Sequence, residues 1–305
     1  MKFDFMGNRF IAFAFSGTLT IASIIVMLVI GFNYGIDFKG GSIIRVRFND
    51  AMTENKIRDA FSKMPGLYFE PSQLIIQSVS EGQGKEFIIQ YPAAPREDVE
   101  TARLHSDIMK NLKQAAPFND DALETANVGP TVGGEMKKQA FFAAIISIIG
   151  ILLYLAWRFE FQSASGAVLS IIHDLFIILG FIAITRLEFD VTVLAAVLTM
   201  LGYSVNDSIV VLDRIRENRR LMRSSDLFTI INDSINQTLG RTINTSATTL
   251  FTLLALLFFG GSSIHGFALV LTVGVAFGTY SSIFIASPVL LHMTPAKADR
   301  KSRAV

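Results

Sequence analysis

The sequence predicts an α-helical membrane protein with six transmembrane helices and an α+β, ferredoxin-like (βαββαβ) extracytoplasmic domain. Three observations lead to this prediction. The 305 residues are 51% hydrophobic and only 17% charged, which is more apolar than a typical soluble protein. Six long apolar runs punctuate the chain. A single large polar insert, at 36–134, follows the first of them.

The charge and the cysteine content exclude some functions. A formal net charge of +1 provides no field for binding phosphates, so no nucleic-acid partner is expected. Because the chain has no cysteine, neither a disulfide framework nor a thiolate metal site can form. We expect no cofactor and no metal ion.

Each apolar run is long enough for a transmembrane helix, which needs about 20 predominantly apolar residues. The first is too long for a signal-peptide core and no small-residue cleavage site follows it, so it is interpreted as a retained anchor. The predicted segments are a cytoplasmic N-terminus (1–9), a first span (10–35), the insert (36–134), five further spans (135–292) and a basic tail (293–305). The apolar runs lie at 10–31, 136–157, 164–185, 191–212, 243–261 and 266–292.

Basic residues set the orientation. Lysines and arginines precede the first run and follow the second, fourth and sixth runs, whereas the opposite connectors, 186–190 and 261–265, carry a single arginine. The positive-inside rule therefore places both termini in the cytoplasm and the insert outside, which in a Gram-negative cell is the periplasm. The basic residues are Lys2, Arg9, Arg158, Arg214, Arg216, Arg219, Arg220, Arg223, Lys297, Arg300, Lys301 and Arg303.

The sequence of the insert predicts a mixture of strands and helices. Alternation of apolar and polar residues predicts the strands, and Thr53 is a plausible N-cap for the first helix, which ends at Pro65-Gly66. A glycine-containing turn at 80–85 joins the two central strands. The order β-α-β-β-α-β predicts a split βαβ domain. The predicted strands are 42–48, 73–79, 86–91 and 122–128, and the helices are 53–64 and 96–115.

A short amphipathic helix is predicted at 226–237, capped by Asp226, and we expect it on the cytoplasmic membrane surface. It lies within a cytoplasmic segment near 213–240. The charges at 213–220 are spaced three and four residues apart, as in a solvated, ion-paired collar.

Asp207, which follows Asn206 in the fourth run, lies where a lipid-facing helix should carry no charge. It is about six residues, or roughly 9 Å, inside Asp213. A bare charge at the centre of a span costs about 2.5–3.5 kcal/mol, so Asp207 must be protonated, paired or facing water. Small residues mark a helix–helix seam, so the neighbouring small-residue stripe places Asp207 in the bundle interior. The stripe is Ala195, Thr199, Gly202 and Asn206.

Arg241, at the start of the fifth run, is the predicted partner of Asp207. The polar side chains after it, including Thr245 and Thr248, suggest a hydrated path between the fourth and fifth helices. The functional hypothesis is a proton switch, in which deprotonated Asp207 binds Arg241 and protonated Asp207 releases it. The alternative is an inert ion-pair latch, although buried ion pairs contribute little net stability.

Three further features are weaker signals. His173-Asp174 in the third run either extends the proton path or simply bonds neighbouring helices. Asp37 and Lys39, in GIDFKGG at the outer boundary, are by residue type alone part of a glycine turn joining helix to strand. The glycines of Gly274-x-x-x-Gly278 indicate close helix packing.

Several motifs together resemble the SecD/SecF protein-export family of the resistance-nodulation-division superfamily. They are FDFMGNR, GIDFKGG, VGPTVGGEM, GYSVNDSIVVLDRIREN and INQTLGRTINTSATTL, and the resemblance runs from end to end. It implies a bacterial inner-membrane protein, not an enzyme, that uses the proton-motive force to draw exported chains outward. The family's proton-pathway aspartate and arginine map onto Asp207 and Arg241.

The resemblance also implies partners. SecD would supply another six helices to form a twelve-helix unit, and the pair would assist the SecYEG translocon after the motor SecA. YajC, YidC, protons and the unfolded translocating polypeptide complete the expected partners. The family's acidic residue on the SecD side is absent, so this chain alone would be an incomplete proton path.

Three other functions were weighed. One is a free-standing proton-driven exporter of lipids or small molecules, which with six helices would have to act as a homo-oligomer. An intramembrane protease lacks support, because neither a His-Glu-x-x-His helix nor a Gly-x-Gly-Asp motif occurs. A passive assembly scaffold predicts that Asp207 and Arg241 tolerate neutral substitution.

Overall fold

The computed structural model describes residues 3–64, 67, 69–78, 85–92, 99–115, 117–118 and 124–294. The chain divides into two compact units. The membrane unit comprises Met1–Asn33 and Ala143–Val305, and the insert unit comprises Tyr34–Phe142. The predicted features at 65–66, 80–84, 95–98 and 122–123, and the tail beyond 294, lie outside the described residues.

The first apolar run forms α1 (Arg9–Ile30), which ends at Gly31 with a φ of 68°. A positive φ is readily available to glycine, so the helix stops there. The two-residue strand β1 (Asn33–Tyr34) follows. A single helical turn, α2 (Ile36–Lys39), then leads into the insert unit and ends at Gly40, with a φ of 75°.

The insert unit contains a four-stranded antiparallel sheet. Its elements are β2 (Gly41–Arg47), α3 (Glu54–Ser62), β3 (Ile75–Ser78), β4 (Glu86–Pro92), α4 (Val99–Ala115) and β5 (Glu124–Val128). The strand order is β3-β4-β2-β5, and each neighbouring pair is antiparallel. The described elements therefore follow the predicted order along the chain.

The core of the insert unit lies on one face of this sheet. Cross-strand pairs such as Ile44 with Ile89 and Val46 with Phe87 point to that face and are buried. Apolar residues of α3 and α4 join the same cluster. The predicted cap of α3 is confirmed, because the Thr53 hydroxyl accepts a hydrogen bond from the Lys56 N–H at 3.4 Å.

One predicted strand begins later than expected. Residues 71–73 form a 3₁₀ turn instead of the start of β3. Pro71 fixes φ at the first position of the turn, and the Gln73 side chain accepts from the Glu70 N–H at 2.9 Å. This local capping competes successfully with sheet pairing.

The rest of the chain is mainly long helices. They are α5 (Pro130–Arg158), α6 (Phe161–Thr185), α7 (Val191–Leu221), α8 (Leu227–Phe259), α9 (Ser262–Ser281) and α10 (Ser287–Met293). The two-residue strand β6 (Glu188–Phe189) precedes α7, and a π-helical turn, Ser282–Ala286, joins α9 to α10. Among the described residues, six helical segments are long and apolar enough to cross a membrane, with α9, the π-turn and α10 forming the last. The prediction of six spans is confirmed.

The spans differ in how much of each is buried by the rest of the chain. About half of the most apolar stretch is buried in α6 (56%), α7 (50%) and the final span (56%), but only 11% in α1, 6% in α5 and 17% in α8. The predicted close packing at Gly274 and Gly278 is confirmed. A Cβ atom at Gly274 would lie 2.1 Å from Cγ of Met200, and one at Gly278 would lie 3.1 Å from Cβ of Ser204.

The predicted surface helix at 226–237 is not a separate element. It is the first part of α8, which runs without a break from Leu227 to Phe259. The connecting residues 238–242 contain no proline, and a single glycine weakens a helix without ending it. The predicted cap is present, because the Asp226 carboxylate accepts from the Thr229 N–H at 3.3 Å.

The N-terminal segment is fastened to α8 by two asparagine side chains. Asn236 accepts from the Phe3 N–H at 2.9 Å and donates to the Phe3 carbonyl at 2.8 Å. Asn232 accepts from the N–H groups of Phe5 and Met6 at 2.9 and 3.2 Å. Met6 is fully buried in the membrane unit, so the segment is an integral part of that unit.

Candidate functional site: two buried carboxylates

Asp207 lies on the inner face of α7, as predicted, and is only 2% exposed. Its Oδ2 atom accepts hydrogen bonds from Ser246 on α8 and Thr279 on α9, both at 3.4 Å. The two hydroxyl oxygens lie 2.7 Å from each other. Asp207 therefore sits where three helices meet, held by hydroxyl groups instead of a cation.

The predicted contact between Asp207 and Arg241 is not present. Within the described residues, no ion pair closer than 4.0 Å joins the two side chains. Arg241 is exposed and lines an open groove of about 530 Å³ between α7 and α8, together with Asn206. Consecutive helical residues point about 100° apart, so Asn206 faces the groove while Asp207 faces the interior.

The small-residue stripe on α7 lies on the exposed face of the helix and not, as was predicted, on its buried face. It was expected to form the helix seam, yet all of its members are exposed in this chain. The buried face of α7 carries instead Ala196, Met200, Ser204 and Asp207, against α9. Small residues favour close packing on whichever face a neighbour occupies, so the stripe alone could not decide between the two faces.

The predicted polar path along α8 reaches Asp207 only through Ser246, and not through Thr245 or Thr248. Thr245 and Thr248 are exposed, and their hydroxyls donate to carbonyls of their own helix, those of Arg241 and Asn244. Threonine hydroxyls that bond back to the preceding turn satisfy themselves without water. The hydroxyls of Thr245 and Thr248 are therefore compatible with an apolar environment, unlike the exposed side chains of Arg241 and Asn244.

A second carboxylate, Asp174 on α6, is fully buried. Its Oδ1 atom lies 2.9 Å from Nδ1 of His173. Its Oδ2 atom accepts from Ser204 on α7 at 2.5 Å and from Ser281 on α9 at 2.6 Å. Ser170 in turn donates to the Ser281 hydroxyl at 2.8 Å. Of the two predicted alternatives for His173-Asp174, helix-bridging hydrogen bonds are thus present.

Sequence reasoning missed the hydroxyl partners on α9. Thr279 and Ser281 lie in GTYSS, at 278–282, within the last apolar run. This concentration of hydroxyls in a span was the available signal. Helices α7 and α9 take part in both sites. Ser204 on α7 and Ser281 on α9 bond Asp174, while Thr279 on α9 bonds Asp207, which is itself on α7.

Asp37 and Lys39 belong to the insert unit and lie in α2. Asp37 is half-buried and Lys39 is exposed. A Cβ atom at Gly133 would lie 2.8 Å from the backbone nitrogen of Gly40, so glycine at this position permits close approach of α5 to the turn. This geometry agrees with a tight glycine-dependent turn.

These features define a class: a multi-pass membrane protein whose helix bundle encloses ionisable groups, an arrangement typical of ion or proton pathways. The model of the family "Protein export membrane protein SecD/SecF, C-terminal" matches residues 107–296, and that of the "SecD/SecF GG Motif" matches residues 25–52. The chain therefore belongs to the SecD/SecF family of protein-export membrane proteins.

Relatives and solved structures agree with this assignment. The chain is 38% identical over 302 residues to the protein translocase subunit SecF of Rickettsia prowazekii, covering 99% of this chain and 94% of the relative. It is 39% identical over 296 residues to that of Pseudomonas aeruginosa, covering 97% and 93%. The crystal structure of SecDF from Thermus thermophilus, a translocon-associated membrane protein, is 36% identical with a TM-score of 0.81, over 96% of this chain.

The solved SecDF chains are longer than this one. The chain spans 38% of the Thermus thermophilus protein. A second SecDF structure, solved in a super-membrane-facing form, matches 100% of this chain with 36% identity and a TM-score of 0.69. The match covers 40% of that SecDF chain.

Proposed function

We propose that the chain is a SecF-type subunit of the Sec protein-export machinery. It acts with a SecD-type subunit beside the SecYEG translocon and uses the proton-motive force to assist late translocation of secreted polypeptides. The full-length similarity to translocase subunits supports the export role. The match to only 38% of a solved SecDF chain supports a second subunit that supplies the rest.

The observation that carries the proposal is an exposed polar face inside the membrane-spanning region. Asn206 on α7 and Arg241, Thr245 and Thr248 on α8 lie on this face. An arginine facing hydrocarbon is costly, so such residues almost always face protein or water within a bundle. Together with the exposed small-residue stripe of α7, this face suits packing against another set of transmembrane helices.

Asp207 and Arg241 are the proposed proton-pathway pair. Asp207 is buried without a cation among its described contacts, and Arg241 has no carboxylate partner among its own. A carboxylate in this position is readily neutralised by a proton. We infer a switch in which loss of that proton draws Asp207 and Arg241 together, with Asn206 at the boundary between interior and groove.

The topology follows from the basic residues. We infer that both termini face the cytoplasm, that 36–134 lies in the periplasm and that 135–292 returns through the inner membrane. The strand order β3-β4-β2-β5 supports a ferredoxin-like, split βαβ periplasmic domain. YajC and YidC, and direct contact of the translocating chain, rest on the family resemblance alone, as does any role of Asp37 and Lys39.

Export into membrane vesicles containing the chain, SecD and SecYEG tests the proton role. Asp207→Asn should abolish the part of export that an ionophore removes from the wild type, while the protein remains folded and inserted. Asp226→Asn is the matched control, because asparagine caps a helix as well as aspartate does. Full gradient-driven export by Asp207→Asn would refute the proton switch.

Co-purification tests the partner. Recovery with a different six-helix chain supports the proposal, whereas a twelve-helix assembly of identical chains would favour a free-standing exporter of lipids or small molecules. If the partner covers the polar face, Arg241→Leu should weaken the association measured in the same co-purification. An unchanged association would show that the partner does not cover this face.

A further inference from the structure

The contacts of the His173–Asp174 pair suit one particular protonation pattern. Asp174 receives two hydroxyl hydrogen bonds of 2.5 and 2.6 Å, from Ser204 and Ser281. Such short O–H···O distances are typical of bonds to an ionised carboxylate. Nδ1 of His173 is the third neighbour, and it donates to the carboxylate in one tautomer of the ring. This arrangement suits an ionised Asp174 that accepts from all three neighbours.

The second nitrogen of His173 is the unusual feature. When Asp174 is ionised it can only accept, so the hydrogen between the two side chains is then carried by Nδ1 of His173. Nε2 is buried and has no hydrogen-bond partner among the described residues. A proton on Nε2 would be a buried donor without an acceptor, which costs about 1–3 kcal/mol. In this state Nε2 therefore carries a free lone pair.

Among the residues that the structure describes, no other charged group forms an ion pair with His173 or Asp174. His173 is 5% exposed and Asp174 is 0% exposed, so water does not screen the charge. Among the described residues, two titratable side chains in the membrane-spanning parts of the elements packed against α6 have no hydrogen bond to a side chain or carbonyl: Tyr203 on α7, whose hydroxyl is buried, and the exposed His265 near the start of α9. The others are bonded elsewhere. Arg9 on α1 donates to the Met6 carbonyl, and Asp207 on α7 accepts from Ser246 and Thr279. The Tyr280 hydroxyl on α9 bonds the Ser16 hydroxyl and the Ala12 carbonyl, and Nδ1 of His292 on α10 bonds the Pro288 carbonyl.

We propose that Nε2 of His173 is a second proton-binding position in this chain. One proton delivered by water adds to the Nε2 lone pair, the imidazole becomes an imidazolium, and the net charge of the pair changes from −1 to 0. Release of the same proton restores the starting state. Burial favours the neutral pair, and imidazole is the side chain whose charge changes most readily near neutral pH.

This position is linked mechanically to Asp207. The positive charge of an imidazolium at His173 offsets the negative charge of Asp174, which weakens the charge-assisted bonds from Ser204 on α7 and Ser281 on α9. Asp207 follows Ser204 by less than one helical turn, and Thr279, which contacts Asp207, precedes Ser281 by two residues. The π-helical turn begins directly after Ser281. Single π-turns interrupting a helix are frequent at functional sites.

Nitrogen NMR of the complex in lipid nanodiscs tests the assignment directly. The chain has four histidines, so the His173 signals can be identified by comparing spectra of histidine-labelled wild type with those of single His→Gln variants at the other three positions. We expect a neutral ring protonated at Nδ1 at high pH and a doubly protonated ring after acidification. A ring that keeps one proton over the whole pH range in which the complex stays folded would overturn the proposal, as would a ring protonated only at Nε2.

An export measurement supplies the second arm, and only this arm rests on the proposed function. His173→Gln should reduce gradient-driven export by about 100-fold, the lower end for losing a positioned proton-transfer group. His292→Gln should not, because His292 is exposed and bonds only a backbone carbonyl. Wild-type export rates with His173→Gln would overturn a role in transport.

The two arms separate the possible failures. If His173 takes up a second proton but Asp207→Asn retains full gradient-driven export, the proposed function fails and the binding position stands. If Asp207→Asn loses gradient-driven export while the His173 ring never changes, the binding position fails and the proposed function stands.

Discussion

The two units of this protein treat buried carboxyl groups in opposite ways. In the insert unit, Glu86 lies under two arginines, with distances of 2.6 Å to Arg45 and 2.7 Å to Arg47. In the membrane unit, Asp207 and Asp174 are also buried, but their described contacts are hydroxyls and one imidazole.

The difference is between a fixed charge and an adjustable one. The hydrogen bond from Arg47, helped by Arg45, lowers the pKa of Glu86 despite its burial, so this carboxylate stays ionised at physiological pH. Hydroxyls can donate to a carboxylate or accept from a carboxylic acid, so they tolerate both states. The hydrogen-bond partners of the carboxyl groups in the membrane unit therefore allow a change of charge, whereas the two arginines in the insert unit keep Glu86 ionised.

The largest effect is expected from Asp174→Ala. The substitution leaves His173 and Ser204 without their acceptor and leaves the Ser281 hydroxyl only the Gly278 carbonyl as an acceptor. Removing one partner of a buried polar network typically costs about 3–5 kcal/mol. Thermal unfolding of the purified protein in detergent should show the loss. Asp207→Ala is the control and should cost less, because its two hydrogen bonds are 3.4 Å long and its hydroxyl partners also contact each other. Equal losses would show that the two carboxylates are bound alike.

The next largest effect concerns packing, which differs between the inner and outer faces of the bundle. A Cβ atom at Gly166 would lie 2.4 Å from the Ala286 carbonyl oxygen, so Gly166→Ala should cost about 1–3 kcal/mol. Gly202→Ala, on the exposed face of α7, meets nothing within 4 Å and should be neutral or stabilising in the isolated chain. The same unfolding experiment measures both, and a similar cost for both would contradict the described packing.

Glu86→Gln should have a smaller effect, because the arginines are partly exposed and surface ion pairs contribute about 1 kcal/mol or less. Since the pKa of Glu86 is lowered on folding, its contribution is present above the ordinary value of 4.5 and is lost as the pH falls through the lowered one. Hydrogen exchange of β2 and β4 in the intact protein should become faster in the variant at neutral pH but not in acid. Glu54→Gln, an exposed control, should change neither.

The smallest expected effect is on the N-terminal segment. Asn236→Ala removes two hydrogen bonds to Phe3 at an exposed position where water replaces the lost partner, so it affects the local opening of the segment and not global unfolding. Hydrogen exchange should rise at residues 3–6 and remain unchanged in α6. A rise in α6 as well would mean that this segment stabilises the His173–Asp174 pair.

Much of the fold was predictable because it depends on local pattern. Six apolar runs, the order of strands and helices in the insert, the Thr53 cap and the inward position of Asp207 all follow from periodicity and from the cost of exposing charge to lipid. The continuity of α8 was not predicted, because the polar residues before 243 resembled a helix boundary. Tertiary packing, not local preference, carries that helix through Gly240.

The sequence by itself determined that carboxylates lie inside the membrane bundle and which family the chain resembles. Only the tertiary structure decided what those carboxylates touch. From the sequence Arg241 was the expected partner of Asp207, but the rotation of α7 brings Asp207 to Ser246 and Thr279 instead. That rotation depends on how side chains from distant parts of the chain interlock, as at Gly278 and Ser204, and no local pattern encodes it.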